Sequence, residues 1–376
     1  MSTSLARTDT SIVGRWWWTV DKLTLGVLML LVVSGAVLTL AAGRPAAARI
    51  QLDSLFFVKQ QMAVIVVGLA VLIGTSLLSP RWVKRIGVLG LFFVWLPLTV
   101  LATFYGPEIK GAHRWLHVGF SLQPSEFLKP CFAIFAAWMF SLWKEDKSFP
   151  GWIVATIVCG LIVAILARQP DVGMAAVIFA IWFSQLFLAG LPYIWVGAGV
   201  AAAGATVALA YFTVPHVAHR IKLFLDPSSG DNYQVDRSLG AFMNGGLFGR
   251  GPGEGTVKAQ LPDAHSDFIF AVAGEEFGLI ACLIIVAAYA AIVIRGLARV
   301  FDEGNLFVMF SATALLVGIG LQAFINMASA LSLMPTKGMT LPFISYGGSS
   351  LVALGVAMGM VLALTRRRRD QEGSGA

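Results

Sequence analysis

The chain has 376 residues, 57% of them hydrophobic and 12% charged, with a formal net charge of +7. A soluble domain carries about twice that share of charge and keeps it on the surface, while disorder needs low hydrophobicity, so both classes are excluded. A polytopic membrane protein remains, and at about 20 apolar residues per helical span the length allows about ten.

Stretches free of Asp, Glu, Lys and Arg mark spans at 23–43, 60–80 and 86–107. The fourth, 124–143, takes Glu126 and Lys129 inside it, and the fifth is 148–167. Residues 172–219 hold two more, divided at Gly190-Leu191-Pro192. The eighth has its core at 277–294 and starts near Asp267; 305–336 and 338–365 complete the set. Each must be helical, because lipid offers a bare backbone no partner. The expected fold is an all-α integral membrane protein of ten transmembrane helices. One membrane domain (23–365) lies between an N-terminal segment (1–22) and a basic tail (366–376), with a large extracytoplasmic loop at 216–266.

An even span count puts both termini on one side, and the positive-inside rule makes that side cytoplasmic. Arg7, Arg15, Lys22, Arg81, Lys84, Arg85, Lys144, Lys147, Arg295, Arg299 and Arg366 to Arg369 then all face inward. The positive charge is topology signal, and no nucleic-acid partner is implied. The first apolar run is too long for a signal-peptide core, and Trp16-Trp17-Trp18 before it suits an interfacial belt. Cys131, Cys159 and Cys282 fall inside spans and read as small core residues.

The remaining polar residues gather on the opposite face, so chemistry is expected outside the cytoplasmic membrane, away from ATP. Gly245, Gly246, Gly249, Gly251, Gly253 and Gly255 match neither phosphate-binding fingerprint and read as a hinge or tight re-entrant loop. Charges within spans are costly and mark function by default. Glu126 and Lys129 share a helix face and can pair. Asp171 sits at a span lip, where it can also serve as a helix N-cap. Glu275 and Glu276 lie about two turns into the eighth span, where one could pair with Lys129 or Arg168. Asp267 follows His265 at a membrane boundary, where partial desolvation would move a carboxylate toward the working range of a general base. Arg114, Arg220, Lys222 and Lys258 could neutralise an anionic headgroup. The prolines and glycines of 334–350 imply irregular backbone, tolerated at membrane depth only beside a cavity or within protein.

Several of these segments carry a resemblance. Pro335-Thr336-Lys337-Gly338, then Thr340 to Ser350 with Asn326 upstream, resembles the signature of the SEDS (shape, elongation, division and sporulation) family. Gly111 to Trp115, Gln123 to Lys129, Gln169 to Gly173, Arg220 to Gln234 and Leu261 to Gly278 resemble further family motifs, in order. The resemblance spans about residues 20–365 and is nearer the family's division branch than its elongation branch. Arg237, Met243-Asn244 and Met174 depart from the usual pattern. It implies a peptidoglycan glycosyltransferase that polymerises lipid II at the septum and releases undecaprenyl diphosphate. Asp267 would be the general base for the acceptor's GlcNAc 4-hydroxyl, with inversion at the donor's anomeric carbon. Arg114, Glu126, Lys129, Asp171, Arg220, Lys222, Gln234, His265, Glu276, Asn326, Lys337 and Ser345 would bind substrate. A divalent cation (Mg or Mn) would share the diphosphate charge, although no metal ligands can be read. Implied partners are a cognate class B penicillin-binding protein and other divisome membrane proteins, in the bacterial inner membrane with the site facing the periplasm. A lipid II flippase and a non-catalytic divisome scaffold are the other readings. A flippase needs a polar route from the cytoplasmic side as well, and the short inner loops show none.

Overall fold

The computed structural model describes residues 11–109, 111–117, 119, 121–190, 233–301, 303–335 and 338–366, with scattered positions between 194 and 222. The seventh expected span therefore lies essentially outside the described residues. The helices in chain order are α1 (Ile12–Thr19), α2 (Lys22–Arg49), α3 (Phe56–Ser76), α4 (Pro80–Gly90), α5 (Leu96–Tyr105), α6 (Pro124–Glu145), α7 (Gly151–Arg168) and α8 (Val172–Leu188). Next come α9 (Tyr233–Gly245), α10 (Ile269–Phe301), α11 (Leu306–Ala330) and α12 (Gly348–Leu364). A two-stranded ribbon, β1 (Leu116–His117) with β2 (Ser121–Leu122), precedes α6. Among the described residues, seven helical segments are long and apolar enough to cross a membrane, and α8 and α12 are shorter apolar helices.

α4 and α5 form one such segment, joined by a π-turn at Leu91–Trp95. Pro97 has no N–H for the carbonyl of Phe93, and the ladder slips to the wider spacing there. α6 is the most buried of the long helices and the least apolar of them. A helix surrounded by protein rather than lipid can hold Glu126 and Lys129, because neighbouring helices supply their partners. α12 packs along α3 through small residues: a methyl added at Gly355 would meet the Gly68 carbonyl at 2.6 Å. Without a hydrophobic drive between helices in lipid, such close backbone contact provides the packing energy.

Within the large loop expected at 216–266, residues 233–259 include α9 and a 3-10 turn (Val257–Ala259). Ser238 Oγ at the buried face of α9 donates to the Ala330 carbonyl at 2.6 Å. The glycine cluster behaves as the expected tight turn, and its position explains it. α10 breaks at Gly278, whose φ is 78°. The N–H groups of Leu279 and Ile280, freed by the break, donate to the carbonyls of Gly246 (2.9 Å) and Leu247 (3.3 Å). Arg250 and Gly251 N–H groups in turn reach the Glu275 and Glu276 carbonyls, each at 3.0 Å. The turn thus satisfies backbone that the helix leaves open.

Gly249 lies at φ 83°, and a methyl there would stand 2.1 Å from the Glu276 carbonyl oxygen. Gly249→Ala is expected to destabilise by about 3 kcal/mol. Gly253→Ala, also at positive φ (91°) but with nothing within 4 Å, should cost only about 1 kcal/mol. Thermal unfolding of both variants in detergent checks this; equal losses would place the effect in φ alone.

At the other end of the bundle, Asp21 caps α2 and binds Arg295 (2.8 Å) and Arg299 (3.1 Å) at the end of α10. Burial alone would raise the Asp21 carboxyl, but hydrogen bonds from Arg295 and Thr24 and the charges of Arg299 and Arg295 outweigh it and hold the carboxyl below its usual range. A group lowered on folding stabilises above its unfolded value, about 3.9, and loses that contribution as pH falls through the lowered one. Asp21→Asn should therefore cost about 1 kcal/mol near pH 7, since both arginines are partly exposed. The gap to wild type should shrink between pH 5 and about pH 3, as thermal midpoints across that range would show.

Candidate active site

Asp267 lies in the turn that leads into α10 and is half-buried. Its backbone is held on both sides: its N–H donates to the Asp263 carbonyl (3.0 Å), and its carbonyl accepts from Asn326 Nδ2 of α11 (2.8 Å). The preceding residues are gripped by the segment before α12. Ser345 Oγ donates to the Ser266 carbonyl at 2.6 Å, and the Tyr346 N–H donates to the His265 carbonyl at 2.9 Å. The His265 ring packs against Phe57 (centroids 4.3 Å) and Tyr346 (5.2 Å). Gly338 passes so near that a methyl on it would be 3.2 Å from Asp267 Oδ2. Asn326 and Ser345 are buried and act through the backbone of this turn.

A second polar group lies deeper. Lys129 Nζ pairs with Glu126 at 2.8 Å, as the spacing predicts, and donates to Gln322 Oε1 at 2.6 Å. All three line a narrow cleft between α6, α8, α11 and α12, otherwise walled by apolar residues such as Ile181, Leu315 and Leu354.

Arg114 is committed elsewhere. It donates to the carbonyls of Gln169 (3.1 Å) and Pro170 (2.7 Å) and lies 3.4 Å from Asp171. Asp171 itself accepts from the Met174 N–H at 3.2 Å and caps α8. The pair ties the loop before α6 to the turn before α8. Glu276 pairs with Lys258, not with the expected Lys129 or Arg168, and both are buried. Lys258 is therefore not the solvated headgroup ligand that its place in the loop suggests. Glu275 accepts the N–H groups of Thr256, Val257 and Lys258 and the Asn244 amide, all within 2.8 Å. Lys222 and Gln234 are exposed. Arg220 and Lys337 lie outside the described residues.

The family model described as "Cell cycle protein" (FtsW, RodA and SpoVE) matches residues 21–370. The chain belongs to this family. It is 42% identical over 380 residues to the "Probable peptidoglycan glycosyltransferase FtsW" of Caulobacter vibrioides, covering 99% of this chain and 95% of that one. The protein of the same description from Trichlorobacter lovleyi is 36% identical, covering 90% and 92%. Among solved structures, one described as "Structural coordination of polymerization and crosslinking by a peptidoglycan synthase complex" superposes with a TM-score of 0.77 at 25% identity, covering 93% of this chain and 98% of that one. The Rod shape determining protein RodA of Thermus thermophilus shares the fold (TM-score 0.68, 24% identity, 93% and 97% covered). With its several apolar helices, this member of the family is a multi-pass membrane protein.

Two features of the site escape the sequence reading. Gln322 carries no charge and sits in an apolar run, although its place one helical turn before Asn326 is a usable signal. Lys258 and Glu276 are 18 residues apart, a pairing that no helix periodicity indicates.

Proposed function

We propose that the chain is a peptidoglycan glycosyltransferase that polymerises lipid II at the division septum, with Asp267 as general base. The observation that carries this reading is the half-buried Asp267 on a turn pinned by Asn326, Ser345 and Tyr346. A base must be held in place to accept a proton in the transition state. The names of the relatives support the reaction class. The Asp267 carboxylate takes the proton of the acceptor's 4-hydroxyl as that oxygen bonds to the donor's anomeric carbon. The bond to diphosphate breaks, and undecaprenyl diphosphate leaves with the electron pair. Arg220, Lys222 and Lys337 are the cations assigned to that leaving group. Arg114 and Lys129 are already partly engaged by protein acceptors, as Glu126, Asp171 and Glu276 are by their partners. Gln234 and His265 stay assigned to substrate.

A divalent cation at the diphosphate could be held by one or two carboxylates together with the phosphate oxygens themselves. Among the described residues, no group of three or more His, Cys, Asp or Glu gathers, and no step is routed through a metal.

The reading includes ten spans with both termini cytoplasmic, a single membrane domain at 23–365 and the site facing the periplasm. The cognate class B penicillin-binding protein and other divisome proteins are its partners. The synthase complex among the structural relatives supports the penicillin-binding partner. The buried polar group beside the cleft is the one observation that favours a flippase instead, since a headgroup crossing the membrane needs polar partners at depth. The deciding experiment incubates purified protein and partner with labelled lipid II, in detergent and in liposomes. Glycan strands support the polymerase. Lipid II crossing the bilayer without strands supports the flippase, and neither activity supports the scaffold.

A further inference from the structure

We propose that Gln322 is a positioning residue for the Asp267 site, joining the buried Glu126–Lys129 pair to the segment that borders the Asp267 carboxylate. This inference rests on the reading of Asp267 as general base. Both ends of the Gln322 amide are occupied by protein. Its Oε1 accepts from Lys129 Nζ at 2.6 Å, while its Nε2 donates to the Thr340 carbonyl (3.1 Å) and hydroxyl (3.2 Å). Thr340 Oγ1 also meets Ser350 Oγ at 2.7 Å, which ties the same point to the start of α12.

One turn along the same face of α11, Asn326 donates to the Met339 carbonyl at 2.6 Å and to the Asp267 carbonyl at 2.8 Å. Two amides of one helix therefore hold the successive carbonyls of 339 and 340. The residue before them is Gly338, against which the Asp267 carboxylate lies. If the Lys129 end moved, the Gln322 amide would shift, and the wall beside the carboxylate would shift with it. The hydrogen-bond inventory explains the choice of residue. A carboxylate at 322 could serve Lys129 but could not donate to Thr340, and an aliphatic side chain could do neither. With its amide so engaged, Gln322 does not contact the reacting atoms; its effect is on geometry, where a displacement of about 1 Å can cost about 100-fold in rate.

The test is steady-state polymerisation of labelled lipid II by the full chain with its penicillin-binding partner. It uses Gln322→Leu, Gln322→Glu, Lys129→Met, the Gln322→Leu/Lys129→Met double variant and Asp267→Asn. Gln322→Leu and Gln322→Glu are expected to lower kcat about 10-fold or more, with KM for lipid II changed by less than about 2-fold. The double variant should be no slower than the worse single, because residues acting as one unit are not additive. A change confined to packing would lower the thermal midpoint and the active fraction, and the latter alone lowers apparent kcat at constant KM, so kcat is expressed per folded, partner-bound enzyme; on that scale packing loss would produce neither the split nor the non-additivity. If Leu fails to fold, the nearly isosteric Glu variant carries the test. Wild-type kcat in a folded Gln322 variant, or multiplicative losses in the double variant, overturns the inference while Asp267→Asn stays inactive. An active Asp267→Asn overturns the underlying reading instead.

Discussion

Asp267→Asn is expected to lower lipid II polymerisation by at least about 100-fold, the lower end of what a positioned proton acceptor contributes. The substitution keeps the shape of the side chain and removes its capacity to accept a proton. It leaves in place the backbone contacts that hold residue 267 to Asp263 and Asn326. The variant should therefore still fold and still form the complex with the penicillin-binding protein. Asp267→Glu keeps the chemistry but displaces the carboxylate by one methylene from its place beside Gly338, so it should recover only part of the rate. A gel assay of glycan strands, run beside unfolding curves, reads both quantities. An Asn variant that polymerised at the wild-type rate would remove Asp267 from the mechanism, whatever the fate of the rest of the site.

The helical spans were legible because lipid enforces a simple rule: charge-free runs long enough to cross must be helices. The rule places the ends less well. α2 continues past residue 43 through Arg44 and Pro45 to Arg49. A long arginine can extend toward polar surroundings while its helix runs on, and Arg49 does so, donating to the carbonyls of Ala259 and Leu261. The break in α10 was hidden for a different reason. A glycine inside an apolar helix is tolerated, so Gly278 alone gives no sign that the ladder stops. Only the glycine turn at 245–251, packed against it from another part of the chain, makes the break affordable. The site shows the same division. Asp267 and the Glu126–Lys129 pair could be read from local context and spacing, whereas Asn326 and Ser345 looked like substrate ligands until their buried hydrogen bonds showed them gripping backbone. Local patterns reveal chemistry that a residue carries itself; they cannot reveal which distant carbonyl it holds.

Glu275 provides the other large expected effect, on stability. Its carboxylate is fully buried and gathers three successive backbone N–H groups, from Thr256, Val257 and Lys258, together with the Asn244 amide. A methyl at Gly255 would come within 2.9 Å of that carboxylate, so the turn closes tightly over it. Glu275→Ala removes every acceptor at once and leaves a void. A buried donor left unpaired, as the Lys258 N–H would be, costs about 1–3 kcal/mol; with the three part-buried donors and the void, the loss of about 3 kcal/mol or more is a large part of the 5–15 kcal/mol that holds an ordinary domain together. The alanine variant should therefore yield little folded protein by fluorescence-detected size exclusion. Glu275→Gln keeps one oxygen and places an NH2 against donors, so its thermal midpoint should fall between wild type and alanine. The same variant separates structure from chemistry. If Glu275→Gln kept the wild-type midpoint but lost polymerisation, Glu275 would belong to the reaction and not to the turn.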